Sequence, residues 1–264
     1  MRVRMVCEAE SAAENESSLQ KWLAALPKSV TMPAVSQHQS EMPTTPVGNV
    51  LYDMPYKVYY SGLAMETVPF VDPNSASLSV LSQLLTHKYL HPEIREKGGA
   101  YGAGASNGPI KGIFTLSSYR DPNPTNTLNV FKKTGIFARE RSWTDRELEE
   151  AKLSIFQGLD APTSVDEEGA RYFMSGVTHE MDQRWREQVL DVTAKDVNEV
   201  AARFLVGSEG SVPPRQALCV LGEKKGDLTA TMFGAGSEWA VKKLSLQSQE
   251  AEVADGLDVS AASA

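Results

Sequence analysis

The chain has 264 residues, of which 41% are hydrophobic and 23% charged, so it can build a sizeable core and lacks the composition of a disordered protein. Its net charge of −8 without any basic run argues against nucleic acid as a partner. No apolar stretch reaches the ~18 residues of a membrane-spanning helix, and no targeting segment is expected at the first residues, where Glu8 and Glu10 follow Arg2 and Arg4.

Periodicity and turn residues predict a half-buried strand, a short amphipathic helix, a polar loop, two strands and a long helix in the first part of the chain. In chain order, their bounds are 1–7, 19–26, 33–46 (with His38), 47–55, 56–70 and 75–97. The expected buried face of the long helix, whose residues recur at three- and four-residue steps, is Leu78, Leu81, Leu84, Leu85, Tyr89 and Leu90. A chain that opens on a strand suggests that further sequence precedes it. Pro92 is expected to bend or interrupt the long helix, or to start its last turn. Cys7 and Cys219 lie in apolar runs, which favours two buried thiols over a disulfide.

The second part of the chain is predicted to be a hairpin, then mostly helical, then one more strand. The hairpin pairs residues 100–106 with 112–119 and turns at Asn107-Gly108-Pro109. Capping boxes that start at Thr144 and Ser164 each predict the start of a helix. The other predicted elements are helices over 125–139, 183–190 and 193–205 and a strand over 216–221. The spacing in the first of these helices predicts Leu128, Val130, Phe131 and Ile136 as core residues. Residues 243–264 are mostly Ser, Ala, Glu and Asp, and we expect a disordered tail there.

The order of these elements predicts the fold class. Strands and helices do not alternate strictly, and the hairpin requires antiparallel pairing. This favours an α+β, two-layer domain in which an antiparallel or mixed sheet is packed on one face by helices. The length allows one or two domains, and the order favours a single domain over residues 1–242.

The stretch His91–Gly104 predicts the end of the long helix, a two-glycine break and a glycine-rich strand. Arg95 falls in the last helical turn, where a cation suits the negative end of the helix dipole. Gly98 or Gly99 can adopt the left-handed conformation that closes a helix. Tyr101 lies on the strand. A guanidinium and a phenol thus flank one corner, either as a surface charge and a half-buried ring or as hydrogen-bond donors to a substrate carbonyl.

Other chemistries fit the sequence poorly. His87 and His91 are four residues apart on the predicted helix, the spacing of a zinc-binding pair. The three residues between them, Lys88-Tyr89-Leu90, contain no carboxylate to act as a general base, which favours one core-edge and one exposed histidine. No Gly-x-Ser-x-Gly elbow is present, and the glycines after Gly98 follow a helix instead of preceding one, so they do not form a phosphate loop. We expect no metal site in this chain.

One long run resembles the C-terminal half of presequence proteases, which are pitrilysin-type (inverted zinc-site) metallopeptidases with falcilysin-like enzymes as near relatives. The run is Leu90-His91-Pro92-Glu93-Ile94-Arg95-Glu96-Lys97-Gly98-Gly99-Ala100-Tyr101-Gly102. Further matches in the same order are Gly112-Ile113-Phe114-Thr115-Leu116, Ser118-Tyr119-Arg120-Asp121-Pro122-Asn123, Glu149-Glu150-Ala151-Lys152-Leu153-Ser154, Asp160-Ala161-Pro162, Arg186-Glu187-Gln188 and Leu221-Gly222. The resemblance covers approximately residues 1–240.

The resemblance implies a function for the corner. In that family, two homologous halves, each of two related α+β domains, close around a peptide, and the N-terminal half binds zinc through His-x-x-Glu-His and a distal Glu. By resemblance, Tyr101 faces the scissile carbonyl and Arg95 orients it. The implied substrate-binding residues are Gly98, Gly99, Ala100 and Gly102.

This chain contains no His-x-x-Glu-His. The resemblance therefore implies a zinc-free C-terminal domain that is inactive alone. Its partners would be the N-terminal catalytic half of the same polypeptide and short unfolded peptides, in the mitochondrial matrix or a plastid.

Two alternatives stay open at this point. The chain could be a stand-alone peptide-binding or scaffold module related to the non-catalytic subunits of processing peptidases. It could also be an independent hydrolase with a zinc site at His87 and His91, in which case the purified chain would carry equimolar zinc.

Overall fold

The structure, a computed structural model, describes residues 3–26, 48–206, 215–224 and 239–243. The predicted loop over 33–46 with His38, and all but the first residue of the predicted tail over 243–264, lie outside these described residues. The strands are β1 (Asn49–Asp53), β2 (Tyr59–Glu66), β3 (Gly102–Gly108), β4 (Ile113–Asp121), β5 (Gln216–Gly222) and β6 (Trp239–Lys243). The helices are α1 (Ala12–Ala25), α2 (Asn74–Leu85), α3 (Pro124–Glu140), α4 (Asp145–Leu159), α5 (Ala170–Ser175), α6 (His179–Asp191) and α7 (Ala194–Val200).

Two helices change their winding instead of ending. α2 continues as a π-helix over Thr86–Glu96, and α7 continues as a π-helix over Ala201–Val206. Pro92 lies inside the first of these π-segments. Proline has no N–H to donate, and the wider π-turn lets the chain pass through it without a break. The predicted long helix over 75–97 is therefore one continuous element.

The strands form one mixed sheet in the order β3-β4-β2-β5-β1-β6. β3, β4, β2 and β5 pair antiparallel, whereas β1 pairs parallel with both β5 and β6. Burial alternates along β2, where Tyr59, Ser61, Leu63 and Met65 face the core. The helices pack on that face, with α2 and α3 in direct contact with strands. The predicted α+β class, a mixed sheet packed on one face by helices, is confirmed.

α2 is the central helix of the core. It contacts β3, α4, α6 and α7, and nearly all of its side chains are buried. The apolar face that periodicity predicted is inside: Leu78, Leu81, Leu84, Leu85 and Leu90 are all at most 1% exposed, and Tyr89 is half-buried. This buried stripe fixes the helix rotationally, so it also fixes the directions in which the last turn presents its polar side chains.

Several sequence-based expectations near the ends of the chain are wrong. Residues 3–8 have no regular secondary structure, so they do not form the predicted strand, and Cys7 is exposed instead of buried. Cys219, on β5, is half-buried, and both thiols are free. None of the six strands in the described part of the chain pairs with these residues, so the alternating pattern stays without a neighbour. β6 was not predicted, and its Lys243 falls at the start of the expected tail.

Two expectations in the helical part are also wrong. Ser164 does not cap a helix: residues 165–169 form turns, and Gly169, in a left-handed conformation, precedes α5 instead. Ile136 on α3 is 46% exposed, although its spacing predicted a core position. Within the described ranges, no helix has both the length and the apolar character needed to cross a membrane.

Two glycines offer a test of the corner geometry. A Cβ at Gly98 would lie 2.5 Å from the backbone oxygen of Ile94, whereas a Cβ at Gly62 in β2 would meet no atom within 4 Å. We expect Gly98→Ala to lower the free energy of unfolding by about 1–3 kcal/mol, because backbone must move to make room. Gly62→Ala is the matched control, with an expected change between zero and about 1 kcal/mol of stabilisation. Chemical denaturation measures both, and equal effects would contradict the tight closure at Gly98.

Candidate functional site

The corner between the long helix and β3 is closed by backbone hydrogen bonds. Gly99 donates its N–H to the oxygen of Arg95 at 3.0 Å, and Ala100 donates to the oxygen of Ile94 at 3.1 Å. Gly99 has φ +81°, the left-handed conformation that a helix end favours for glycine. The spacing of these bonds is one residue wider than in an ordinary α-helical cap, as the π-winding requires. The glycines at this corner therefore serve to close the helix, independently of any contact with a substrate.

Arg95 lies in the last turn of the helix, and its side chain is exposed. Among the described residues, no hydrogen bond or ion pair engages its guanidinium. Lys97, in the same turn, is paired with Glu93 at 2.6 Å. The corner thus presents one neutralised cation and one cation that is available to a ligand.

Tyr101 follows the corner and is 71% exposed. Its backbone N–H donates to the oxygen of Arg120 at 3.4 Å, and its ring packs edge-on against Tyr119 with centroids 5.9 Å apart. Its hydroxyl has no hydrogen-bond partner among the described residues. The phenol is therefore held by its ring and leaves its O–H free to donate.

Tyr101, directly before β3, is the end of a row of tyrosines that continues over β4 and β2. Tyr119 on β4 packs edge-on against Tyr60 on β2 at 5.4 Å, and Tyr60 against Tyr56 at 6.0 Å. Edge-to-face pairs at these distances are the favoured aromatic geometry and restrict ring motion. The row stiffens the surface on which Tyr101 stands. Sequence reasoning placed Tyr101 in the site but missed this support, because the row depends on which strands are neighbours.

The predicted substrate-binding residues have different surroundings. Gly99 is exposed, and Gly98 and Gly102 are half-buried. Ala100 is only 4% exposed, and its N–H is used to close the helix. Gly102 pairs with Tyr119, which puts it beside the tyrosine row. A substrate could reach Gly99 and Gly102 directly, and the role of all four residues in binding stays a prediction.

The outer edge of β3 is partly covered by the helix. The hydroxyl of Thr86 accepts from the N–H of Ala105 at 2.9 Å and lies 3.2 Å from its carbonyl oxygen. A peptide that added itself as a further strand could not use both backbone groups of Ala105 without displacing Thr86. The part of the strand next to the corner is the better place for peptide contact.

The histidine pair does not form a metal site in the described part of the chain. The rings of His87 and His91 pack edge-on with centroids 5.4 Å apart. Glu150, a carboxylate whose charge acts on His87, is bonded to Lys88 at 2.9 Å and Arg146 at 3.0 Å, and these hydrogen bonds lower its pKa. No group of three or more His, Cys, Asp or Glu among the described residues could hold a metal ion. These donors do not fit zinc, so no step of a reaction is assigned to a metal here.

Comparison with known proteins gives one family. A model described as the PreP C-terminal domain matches residues 50–210. The mitochondrial presequence protease of Aspergillus fumigatus is 67% identical over 257 residues, which are 97% of this chain and 23% of that protein. That of Aspergillus oryzae is 66% identical over 252 residues, 96% of this chain and 23% of that protein. The chain therefore spans less than a quarter of the length of the curated relatives it matches.

Solved structures show the same fold at low identity. A peptidase M16 inactive domain from Pseudomonas fluorescens superposes with a TM-score of 0.52 at 18% identity, covering 68% of this chain and 44% of that one. A protease from Helicobacter pylori gives a TM-score of 0.53 at 15% identity, covering 67% of this chain and 44% of that one. At these identities, the likeness concerns the fold alone.

The histidine pair gives a pH dependence. Burial lowers the pKa of His87. The charges of His91 and Lys88 lower this pKa further, whereas the charge of Glu150 raises it. Below about pH 6.5 the unfolded chain therefore binds this proton more readily than the folded chain, and stability falls as pH drops toward the folded-state pKa. We expect acidification from about pH 7.5 to 5.5 to lower the free energy of unfolding more in the wild type than in His87→Gln.

The His91→Gln variant separates the charge effect from burial. It removes one of the groups that lower the pKa of His87, so this pKa should rise, as followed by NMR titration of the ring resonances. An unchanged His87 titration in this variant, together with equal pH profiles for the wild type and His87→Gln, would contradict the coupling of the pair.

Proposed function

This chain belongs to the PreP C-terminal domain family, and we propose that it is the C-terminal, zinc-free domain of a mitochondrial presequence protease that degrades short unfolded peptides. The family match over residues 50–210 supports this, as do relatives from several fungi that are named mitochondrial presequence proteases. The chain corresponds to 23% of the A. fumigatus relative, so the rest of such an enzyme lies outside it. We propose that the zinc belongs to the N-terminal half, since the donors described here do not fit it.

The observation that carries the proposal is the pair of unengaged donors at the corner. We propose that Tyr101 donates its hydroxyl proton to the carbonyl of the peptide bond to be cut, and that Arg95 orients the same peptide. Both side chains are exposed beside one rigid backbone closure, and neither group has a polar partner among the described residues. Donors that are fixed before the substrate arrives stabilise developing negative charge most effectively. Gly98, Gly99, Ala100 and Gly102 would shape the surface next to the peptide, and residues 1–242 would act as one domain.

The first prediction concerns the chain alone. The purified 264-residue chain should hydrolyse no peptide and should contain no stoichiometric zinc, because it supplies donors but neither a metal-binding motif nor a general base next to one. A fluorogenic peptide assay and elemental analysis measure the two properties. Equimolar zinc together with turnover would instead support the independent hydrolase that uses His87 and His91.

The second prediction concerns an intact enzyme. It is obtained by exchanging the matching segment of the A. fumigatus presequence protease for this chain, which is 67% identical to it. In this exchanged enzyme, Tyr101→Phe should lower kcat by about 10²-fold, as loss of one donor to a developing oxyanion does. Arg95→Ala should lower kcat/KM by at least about tenfold, as loss of a charge-assisted hydrogen bond does.

Tyr172→Phe is the matched control, because Tyr172 is 59% exposed on α5 and has no part in the corner. It should leave kcat and KM unchanged. If Tyr101→Phe and Arg95→Ala behave like Tyr172→Phe, the two residues do not contact the substrate. Peptide binding without any turnover in the exchanged enzyme would favour the stand-alone binding module.

A further inference from the structure

β4 contains an irregularity directly beside the corner. Its pairing with β2 shifts between Ser61↔Ser118 and Tyr59↔Asp121, so that Tyr119 and Arg120 together oppose the single residue between Tyr59 and Ser61. Two residues against one is the definition of a β-bulge. Its effect is visible in the burial pattern, since Tyr119 and Arg120 are both exposed where strict alternation would bury one of them. Bulges of this kind re-aim side chains next to functional sites.

The bulge holds Arg120 in an unfavourable backbone conformation. Arg120 has φ +50° and is the one non-glycine residue with positive φ in the described part of the chain. Glycine adopts this conformation without steric cost, and arginine does not. A residue kept in such a conformation against its preference points to a role for its side chain.

The surrounding structure explains how the conformation is maintained. The next residue, Asp121, is 0% exposed, accepts from the N–H of Asn123 at 2.8 Å and is also bonded by the hydroxyl of Thr127. Asn123 in turn caps α3 by accepting from the N–H of Asn126. The buried carboxylate thus fixes the chain directly after Arg120, so the backbone is held although the Arg120 side chain itself is exposed.

Arg120 lies next to the proposed substrate-contact site. Its carbonyl oxygen accepts the N–H of Tyr101 at 3.4 Å, and the ring of its neighbour Tyr119 packs on Tyr101. The turn that follows packs against the corner, since a Cβ at Gly99 would lie 3.5 Å from Pro122. Two tyrosines and two arginines thus belong to the segments that meet at the corner, Tyr101 with Arg95 and Tyr119 with Arg120.

The charges at this place select a class of ligand. No ion pair or side-chain hydrogen bond engages Arg120 or Arg95 among the described residues, although the chain as a whole has a net charge of −8. Most other arginines in the described part are paired with carboxylates, namely Arg139, Arg141, Arg146, Arg171, Arg186 and Arg215. Two arginines without a carboxylate partner near one corner of an acidic protein suit an anion, and a guanidinium fits a carboxylate with two parallel hydrogen bonds.

We propose that Arg120, supported by Tyr119, binds a carboxylate of the peptide substrate and so helps to determine which peptides are held at the corner. This inference rests on the proposed function, because it needs a peptide substrate held at this surface of the domain. The carboxylate can be the free C-terminus of a short peptide or an acidic side chain, and both offer the same two oxygens.

The decisive substitution is Arg120→Gly in the exchanged enzyme. Glycine relaxes the left-handed backbone, so the fold should not lose stability, and the thermal unfolding midpoint should stay equal or rise. With a peptide that carries a free C-terminus and one glutamate, kcat/KM should fall by about tenfold, the effect of one charge-assisted hydrogen bond. Arg120→Lys keeps the charge but not the two parallel hydrogen bonds, so its kcat/KM should lie between those of the wild type and Arg120→Gly.

Three further peptides identify the carboxylate: one amidated at the C-terminus, one with glutamine in place of glutamate, and one with both changes. Arg120→Gly should leave kcat/KM unchanged for the peptide that lacks the recognised carboxylate and for the doubly neutral one. As a second readout, titration of the 264-residue chain should shift the ring resonances of Tyr119 only with peptides that keep that carboxylate.

Arg184→Gln is the matched control for loss of one positive charge. Arg184 is exposed on α6, whose Trp185 bonds to Ser75 at the opposite end of α2. This variant should have the same kcat/KM as the wild type for all four peptides. Equal losses for all four peptides in Arg120→Gly, or no loss for any, would overturn the carboxylate assignment.

The outcomes separate this inference from the proposed function. If Tyr101→Phe and Arg95→Ala reduce turnover while Arg120→Gly does not discriminate among the peptides, only the carboxylate assignment fails. If Arg120→Gly discriminates while Tyr101→Phe and Arg95→Ala have no effect, the carboxylate assignment holds and the donor roles of Tyr101 and Arg95 fail.

Discussion

The closure of the long helix onto β3 is the constraint on which the rest of the site depends. Two backbone hydrogen bonds, from Gly99 to Arg95 and from Ala100 to Ile94, turn the chain from helix to strand within a few residues. They leave no room for a side chain at Gly98 and require a left-handed backbone at Gly99. Because the helix is fixed by its buried leucines and β3 by pairing with β4, the directions of Arg95 and Tyr101 follow from the closure.

The fold holds this closure from both sides. On the helix side, Thr86 ties the start of the π-segment to Ala105 in β3. On the other side, the amide of Asn126 in α3 donates to the carbonyl oxygen of Glu93 at 3.2 Å. Side chains that carry chemistry keep their geometry only when the backbone beneath them cannot shift, and such support from outside the site is what positions them. The polar surface at the corner is therefore a product of packing several residues away from it.

Sequence patterns predicted those elements that depend on residues close to one another in the chain. The capping box at Thr144 is present in full, with the hydroxyl and Glu147 bonding each other's backbone N–H groups, and the leucine periodicity of the long helix matches its buried face. The same four-residue signal at Ser164 produced only turns, since no apolar face follows it to pack. Likewise, the alternation in residues 3–7 does not form a strand: a strand is stable only when it pairs with a neighbour, and none of the described strands pairs with these residues.

The parts of the site that sequence patterns missed depend on strand register. The corner with Arg95 and Tyr101 could be located because its glycines, helix end and strand start are contiguous in sequence. The tyrosine row and the bulge could not, because they require knowing that β2 neighbours β4 and that two residues of β4 face one of β2. One trace of the bulge exists in the sequence: inward positions Phe114, Leu116 and Ser118 step by two, and the next inward residue, Asp121, comes after three.

The three-residue spacing between the inward residues Ser118 and Asp121 determines which charged side chain reaches the surface. A strand without the bulge would place Arg120 on the core side, where an unpaired guanidinium would be too costly to bury. With the bulge, the aspartate takes the buried position and satisfies its oxygens in the turn before α3, while the arginine is exposed. A single extra residue thus separates an anion, held inside the fold, from a cation presented to solvent. The exposure of the Arg120 guanidinium therefore arises from the register of one strand and not from the composition of the chain, which is acidic.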